Sequence, residues 1–162
     1  MTDTTALHEY LDARLIHVNS DVSSPKKLLQ EMARLLFIPL QESGQECREK
    51  DVYHALLERE KLGNTGIGNG VALPHSRFQH TDKAIIAIIT LSQAIDYDSS
   101  DGQQVDIAFG LIVPQEATQE HLQILAEIAG TMSKEDNKNL LVSATSAEQA
   151  IAIIKAQVWY GG

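Results

Sequence analysis

The sequence predicts a single α/β domain in which helices cover both faces of a central β-sheet. Three observations carry this expectation. Residues 84–91 (AIIAIITL) and 105–113 (VDIAFGLIV) are continuous apolar runs rich in β-branched side chains, the pattern of strands buried on both sides. Amphipathic helical segments precede and follow these runs, so that each sheet face has a cover. The 162 residues, 43% of them apolar, fit one domain (1–162) and can bury a core without disulfides or a structural metal.

The elements follow in chain order. Residues 15–18 form a short apolar-rich strand. Ser24 stands as a helix N-cap with Pro25 at the first helical position, and Leu28, Leu29, Met32, Leu35 and Leu36 recur at helical spacing, which predicts a helix over 25–37. A second helix covers about 46–61, with Val52, Tyr53, Leu56 and Leu57 on its buried face and Gly63 just past its end. Between 63 and 70, four glycines in eight residues (Gly63, Gly66, Gly68, Gly70) break any long regular element. A short strand at 71–73 leads into Pro74 and His75, and residues 96–104, rich in Asp, Ser and Gly, form a loop.

The last third is helical. Residues 118–132 place Leu122, Leu125, Ile128, Ala129 and Met132 on one face, and 134–142 form a shorter helix. Ser146 opens the final helix, with Gln149 three residues on as a capping box and Ala150, Ile151, Ile153, Ile154 and Val158 as its apolar positions.

Charge narrows the function. Thirteen basic against 22 acidic side chains give a net charge of −9, which argues against nucleic-acid binding and against attraction to an anionic membrane surface. The acids either suit a partner with a basic face or serve solubility alone. Cys47 is the only cysteine, so no intrachain disulfide forms, and it lacks Cys-x-x-Cys spacing. Residues 1–10 lack the basic start and apolar core of a signal peptide, and no apolar run is long enough to span a bilayer, so a cytoplasmic location is expected.

Three titratable residues stand out by context. His75 ends the run GIGNGVALPHS, in which Gly66, Gly68, Asn69 and Gly70 can present backbone N–H groups to an anion, with Ser76 beside them. Pro74 fixes the backbone entering His75, and an imidazole keeps a neutral, nucleophilic nitrogen near neutral pH. The plainer alternative is a loop histidine beside a tight turn. The run has neither the Gly-Lys-Ser/Thr ending of a P-loop nor the strand–turn–helix setting of a dinucleotide fingerprint.

His121 falls in the first turn of the 118–132 helix, where an anion is favoured, and a neutral imidazole there can donate to a phosphoryl oxygen; otherwise it is a surface residue beside Glu120. Arg59 lies in the last turn of its helix, where a guanidinium can either pair with a phosphoryl group or cap the helix's negative end. His8, His17, His54 and His80 have no such setting, and no spacing suits a metal, so neither metal nor cofactor is expected.

The stretch 57–75 (LEREKLGNTGIGNGVALPH) resembles the active-site signature of the enzyme IIA proteins of the mannitol/fructose type, from the bacterial phosphoenolpyruvate-dependent phosphotransferase system. The resemblance continues through 101–106 (DGQQVD), the strand ending in Val113 and Pro114, the Glu120-His121-Leu122 triplet and Ser146-Ala147-Glu148, and spans about 10–155. It implies a mixed sheet flanked by helices. It also implies phosphorylation of the histidine of the Pro-His pair, here His75, on Nε2. The second active-site histidine would be His121 and the active-site arginine Arg59, both stabilising charge on the phosphoryl oxygens.

The partners implied are a histidine phosphocarrier protein of the HPr/NPr kind and regulatory target proteins, with ion-transport and sensor-kinase proteins as candidates. The Gly-Asn-Thr-Gly-Ile-Gly-Asn-Gly run and the Asp-Gly-Gln-Gln-Val-Asp loop look closer to the nitrogen-regulatory branch than to the sugar-specific one, whose members pass phosphate to a IIB domain. A third reading is a binding module in which His75 is idle. The acidic tract over 41–51 departs from the family pattern.

Overall fold

A computed structural model of the chain describes residues 5–156. Two short 3-10 segments, Thr5–Tyr10 and Ala13–Leu15, lead into strand β1 (Ile16–Ser20). Helices α1 (Pro25–Glu42) and α2 (Glu49–Leu62) follow, then three short strands, β2 (Gly66–Gly68), β3 (Val71–Ala72) and β4 (His75–Phe78). The two long strands β5 (Ile85–Ile95) and β6 (Val105–Pro114) precede helices α3 (Gln119–Met132), α4 (Glu135–Val142) and α5 (Ala147–Ala156).

The strands make one mixed sheet in the order β1-β5-β6-β3-β2. β5 and β6 run antiparallel at its centre, and β1 lies parallel to β5. The outer side of β6 is shared: β3 pairs with its first half (Val71 opposite Ile107), and β4 pairs parallel with its second half (His75 opposite Leu111). β4 is therefore an edge strand that follows directly on the glycine-rich segment.

Side chains of β5 and β6 alternate between two cores, which is why both runs are continuously apolar. On one face Ile85, Ala87, Ile89, Ala108 and Ile112 pack with Leu28, Met32, Leu36, Val52 and Leu56 of α1 and α2. On the other, Ile86, Ile88, Phe109, Leu111 and Val113 pack with Ile124, Ile128, Leu141 and Ile154 of α3 to α5. The α/β class with helices on both faces is thus what the chain adopts. The part-buried Lys138–Asp106 pair, Nζ to Oδ1 3.1 Å, ties α4 to the start of β6.

Several expectations need correction. α1 does not stop at Phe37 but runs through Pro39 to Glu42. A proline removes one helical hydrogen bond, yet the buried Leu36 and Leu40 keep this last turn packed on the core. α2 begins at Glu49, with Arg48 as N-cap and its backbone N–H donating to Asp51 Oδ2 at 2.8 Å, so the acidic 41–51 tract is the end of one helix, a turn and the start of the next. The glycine-rich segment is two short strands around a turn. His75 lies in a strand and not in a loop. Ser24 holds the N-cap position expected of it, and Thr118, expected as the first residue of its helix, is the N-cap of α3. At the last helix Ser146 Oγ accepts from Gln149 N–H at 3.0 Å, while the Gln149 side chain reaches back to Thr145 N–H at 2.7 Å. Val158 lies outside the described residues.

Candidate functional site

A cavity of about 550 Å³ opens where α2, β4 and α3 meet. Leu111 and Val113 of β6 form its floor, Arg59 and Leu62 stand on the α2 side, and Leu122 and Leu125 on the α3 side. His75, Ser76 and Arg77 enter it from β4. Its rim is apolar and open: Leu62 is 85% exposed and Leu122 37%.

His75 is fixed from both sides. Pro74 C=O accepts from Leu111 N–H at 3.0 Å, which anchors the backbone to β6. The ring's Nδ1 lies 2.7 Å from Leu73 C=O. A carbonyl only accepts, so Nδ1 carries the proton and Nε2 is left with a lone pair. Burial pushes the His75 pKa below the ordinary imidazole value. Leu73 C=O acts against this, the Arg59 guanidinium adds to it, and the Glu60 charge opposes it. The ring is therefore held neutral and nucleophilic at neutral pH.

The structure brings Arg59 into the cavity with His75. One of its guanidinium nitrogens, Nη1, donates to Gly63 C=O at 2.9 Å, so the side chain lines the cavity and also caps the end of its own helix. Ser76 lines the cavity while its hydroxyl donates to Arg77 C=O at 2.8 Å. His121 sits in the first turn of α3 with Thr118 N–H directed at its Nδ1, 3.4 Å away. The cavity lining takes in the neighbouring Leu122 but not His121, which stands outside it.

The glycine run stands apart from this cavity. The lining leaves out Gly66, Gly68, Asn69 and Gly70. Asn69 N–H donates to the Asp101 carboxylate at 3.0 Å and Gly66 N–H to Asn64 Oδ1 at 2.7 Å, so the protein's own side chains take up these donors. The glycines are there for the turn: Gly68, Asn69 and Gly70 have φ of 91°, 57° and 78°, and a Cβ on Gly66 would meet Ser99 Oγ at 2.3 Å. The partner carboxylate comes from a loop 32 residues away, which no local motif reveals.

Sequence reasoning also missed a cluster behind His75. Glu60 accepts from Thr65 N–H (2.7 Å), Thr65 Oγ1–H (2.7 Å) and Tyr97 O–H (3.0 Å). Burial and the Glu60 charge push the Tyr97 hydroxyl pKa up, against the influence of the Thr65 hydroxyl 3.2 Å away. The one available signal was that Glu60 follows Arg59 inside the signature stretch.

A family profile described as "Phosphoenolpyruvate-dependent sugar phosphotransferase system, EIIA 2" matches residues 9–157. The chain is 38% identical over 137 residues to the nitrogen regulatory protein of Pseudomonas aeruginosa, covering 85% of this chain and 86% of that protein. Its structure is similar to the crystal structure of nitrogen regulatory protein IIA-Ntr from Neisseria meningitidis, with a TM-score of 0.84 at 36% identity over 92% of this chain and 99% of that one. It shares the fold of mannitol IIA from Escherichia coli, with a TM-score of 0.70 at 18% identity over 89% and 98% of the two chains.

Proposed function

The chain belongs to the EIIA 2 family of the phosphoenolpyruvate-dependent sugar phosphotransferase system, and from that premise we propose that it carries a phosphoryl group on Nε2 of His75. The donor is a phosphorylated histidine phosphocarrier protein of the HPr/NPr kind. The observation that carries this reading is the ring itself: one nitrogen is tied to Leu73 C=O, and the other is a free lone pair beside an arginine in an open cavity.

The step is an exchange between two imidazoles. The Nε2 lone pair of His75 forms the new N–P bond as the carrier's N–P bond breaks, and the electron pair of that bond returns to the carrier nitrogen. Nδ1 keeps its proton throughout. Phosphoryl transfer places charge on the equatorial oxygens, so catalysis rests on alignment and on oriented positive groups. Arg59 supplies that charge within the cavity. His121, at the start of α3, contributes a donor from the side where a helix N-terminus favours an anion.

The regulatory branch is favoured over a sugar-specific role, because relatives that match most of the chain at 36–38% identity bear the name nitrogen regulatory protein. In that role the phosphorylation state of His75 decides which target proteins dock. Incubation with phosphoenolpyruvate, its phosphotransferase and the phosphocarrier should add the mass of one phosphoryl group to the His75 peptide. Labelling of His75→Ala to the wild-type extent would refute the proposal.

A further inference from the structure

We infer that Glu60 is a positioning residue for His75, holding the imidazole in its Nδ1–H tautomer through Thr65 and Leu73 without entering the cavity. This rests on the reading of His75 as the phosphoryl acceptor. Glu60 sits one residue beyond Arg59 in the last turn of α2, but the cavity lining includes Arg59 and not Glu60.

The Glu60 carboxylate is committed elsewhere. Its Oε2 accepts from Thr65 N–H at 2.7 Å, and its Oε1 accepts from Thr65 Oγ1–H at 2.7 Å and from Tyr97 O–H at 3.0 Å. Thr65 is 4% exposed and Tyr97 2%, so these charge-assisted bonds lie away from competing water. Asn64 locks the same segment, donating to Tyr97 C=O at 2.8 Å and accepting from Gly66 N–H at 2.7 Å.

From this clamp two bonds lead to the ring. Thr65 C=O accepts from Leu73 N–H at 2.9 Å, and Leu73 C=O accepts from His75 Nδ1–H at 2.7 Å. The coupling is geometric: the bond entering Thr65 and the bond leaving it belong to different peptide units, so polarisation does not pass directly. What passes is position. Residue 73 lies between the ladder pairs of β3 and β4; Ala72 and Pro74 are anchored to β6 on either side of it, and the Leu73 N–H itself is held by Thr65 C=O, so the aim of the Leu73 carbonyl at the ring depends in part on where Thr65 stands. If the carbonyl drifts, the ring is free to move its proton to Nε2, which removes the nucleophilic lone pair. Outer partners of functional histidines act in this way when they fix a tautomer.

The test uses the full chain. Nitrogen-15 spectra of the His75 ring, recorded at a pH where it is neutral, are compared for wild type, Glu60→Gln and Thr65→Val, together with transfer rates from the phosphocarrier. Wild type should show the Nδ1–H tautomer, Glu60→Gln a mixture with slower transfer by about tenfold, and Thr65→Val, which keeps the amide bond, a lesser mixture. Unchanged amide spectra of β5 and β6 would show that the variants are folded. A wild-type ring spectrum in Glu60→Gln would overturn the inference, because the β4 ladder alone would then hold the ring. Should Glu60→Gln not fold, a wild-type ring spectrum in Thr65→Val overturns it instead. Failure of wild type to take up a phosphoryl group would refute the acceptor reading, while the tautomer comparison would still decide the role of Glu60.

Discussion

A histidine serves as a phosphoryl acceptor only if it is neutral, oriented and next to positive charge, and His75 meets each condition through a named neighbour. Burial lowers its pKa below the ordinary 6.5, so the nucleophilic form persists into mildly acidic solution. Transfer from the phosphocarrier should therefore lose rate only as pH falls through a midpoint below that ordinary value, and a pH–rate profile with its midpoint above it would contradict this. The sign for stability follows. Between the lowered folded value and the unfolded one, the unfolded chain binds more protons, so stability rises with pH across that window. His75→Ala should flatten this rise in denaturant titrations. Arg59→Ala should slow transfer by about 10²-fold, the usual cost of removing one stabilising donor. His121→Ala should cost less, since His121 stands outside the cavity lining, and rapid-quench rates for the two variants would rank them. His75 and Arg59 were legible because each sits at a sequence landmark, a Pro-His pair and a helix end. Glu60, Thr65 and Tyr97 were not, because their meeting depends on a loop that arrives from 32 residues on.

At the scale of elements, legibility tracked burial. β5 and β6 were readable because both faces of each are covered, which leaves an uninterrupted apolar run. β4 was not: HSRF is half-exposed and polar at a sheet edge, and its place in the sheet comes from pairing with β6, not from its own pattern. β3 was read as a short strand before Pro74, but β2 was hidden by glycines whose turn conformation is readable and whose partners are not. The fit of α1 on the sheet depends on one small residue that the pattern does not reveal. A Cβ on Gly110 of β6 would lie 2.2 Å from Met32 Sδ and 2.4 Å from Met32 Cγ, and Met32 is fully buried. Gly110→Ala should thus destabilise the domain by about 1–3 kcal/mol through overpacking. Because Met32 is the obstacle, Gly110→Ala combined with Met32→Ala should cost less than the sum of the single changes, as unfolding midpoints would show. Strict additivity would mean that the clash is relieved elsewhere.

Over the whole molecule, the topology puts the reactive group where a partner can reach it. β6 gives its first half to β3 and its second to β4, so the chain leaving the glycine turn emerges at the sheet edge between α2 and α3. The exposed Leu62 and Leu122 then surround the ring with apolar surface. A phosphoryl group there adds about two negative charges to a chain already at −9. A basic phosphocarrier tolerates that charge, whereas a regulatory target that covers the apolar rim must desolvate it. Targets should therefore bind the unphosphorylated form and His75→Ala alike, and His75→Asp more weakly. Tighter binding of the phosphorylated form, by titration at one salt concentration, would reverse this sign. The central claim is narrower: Nε2 of His75 is the atom that carries the phosphoryl group. Nitrogen-15 and phosphorus-31 spectra of the protein phosphorylated by its carrier test it most directly. The phosphorus should couple to Nε2 of His75 while Nδ1 keeps its proton; a phosphoryl group on Nδ1, or on His121, would contradict the account.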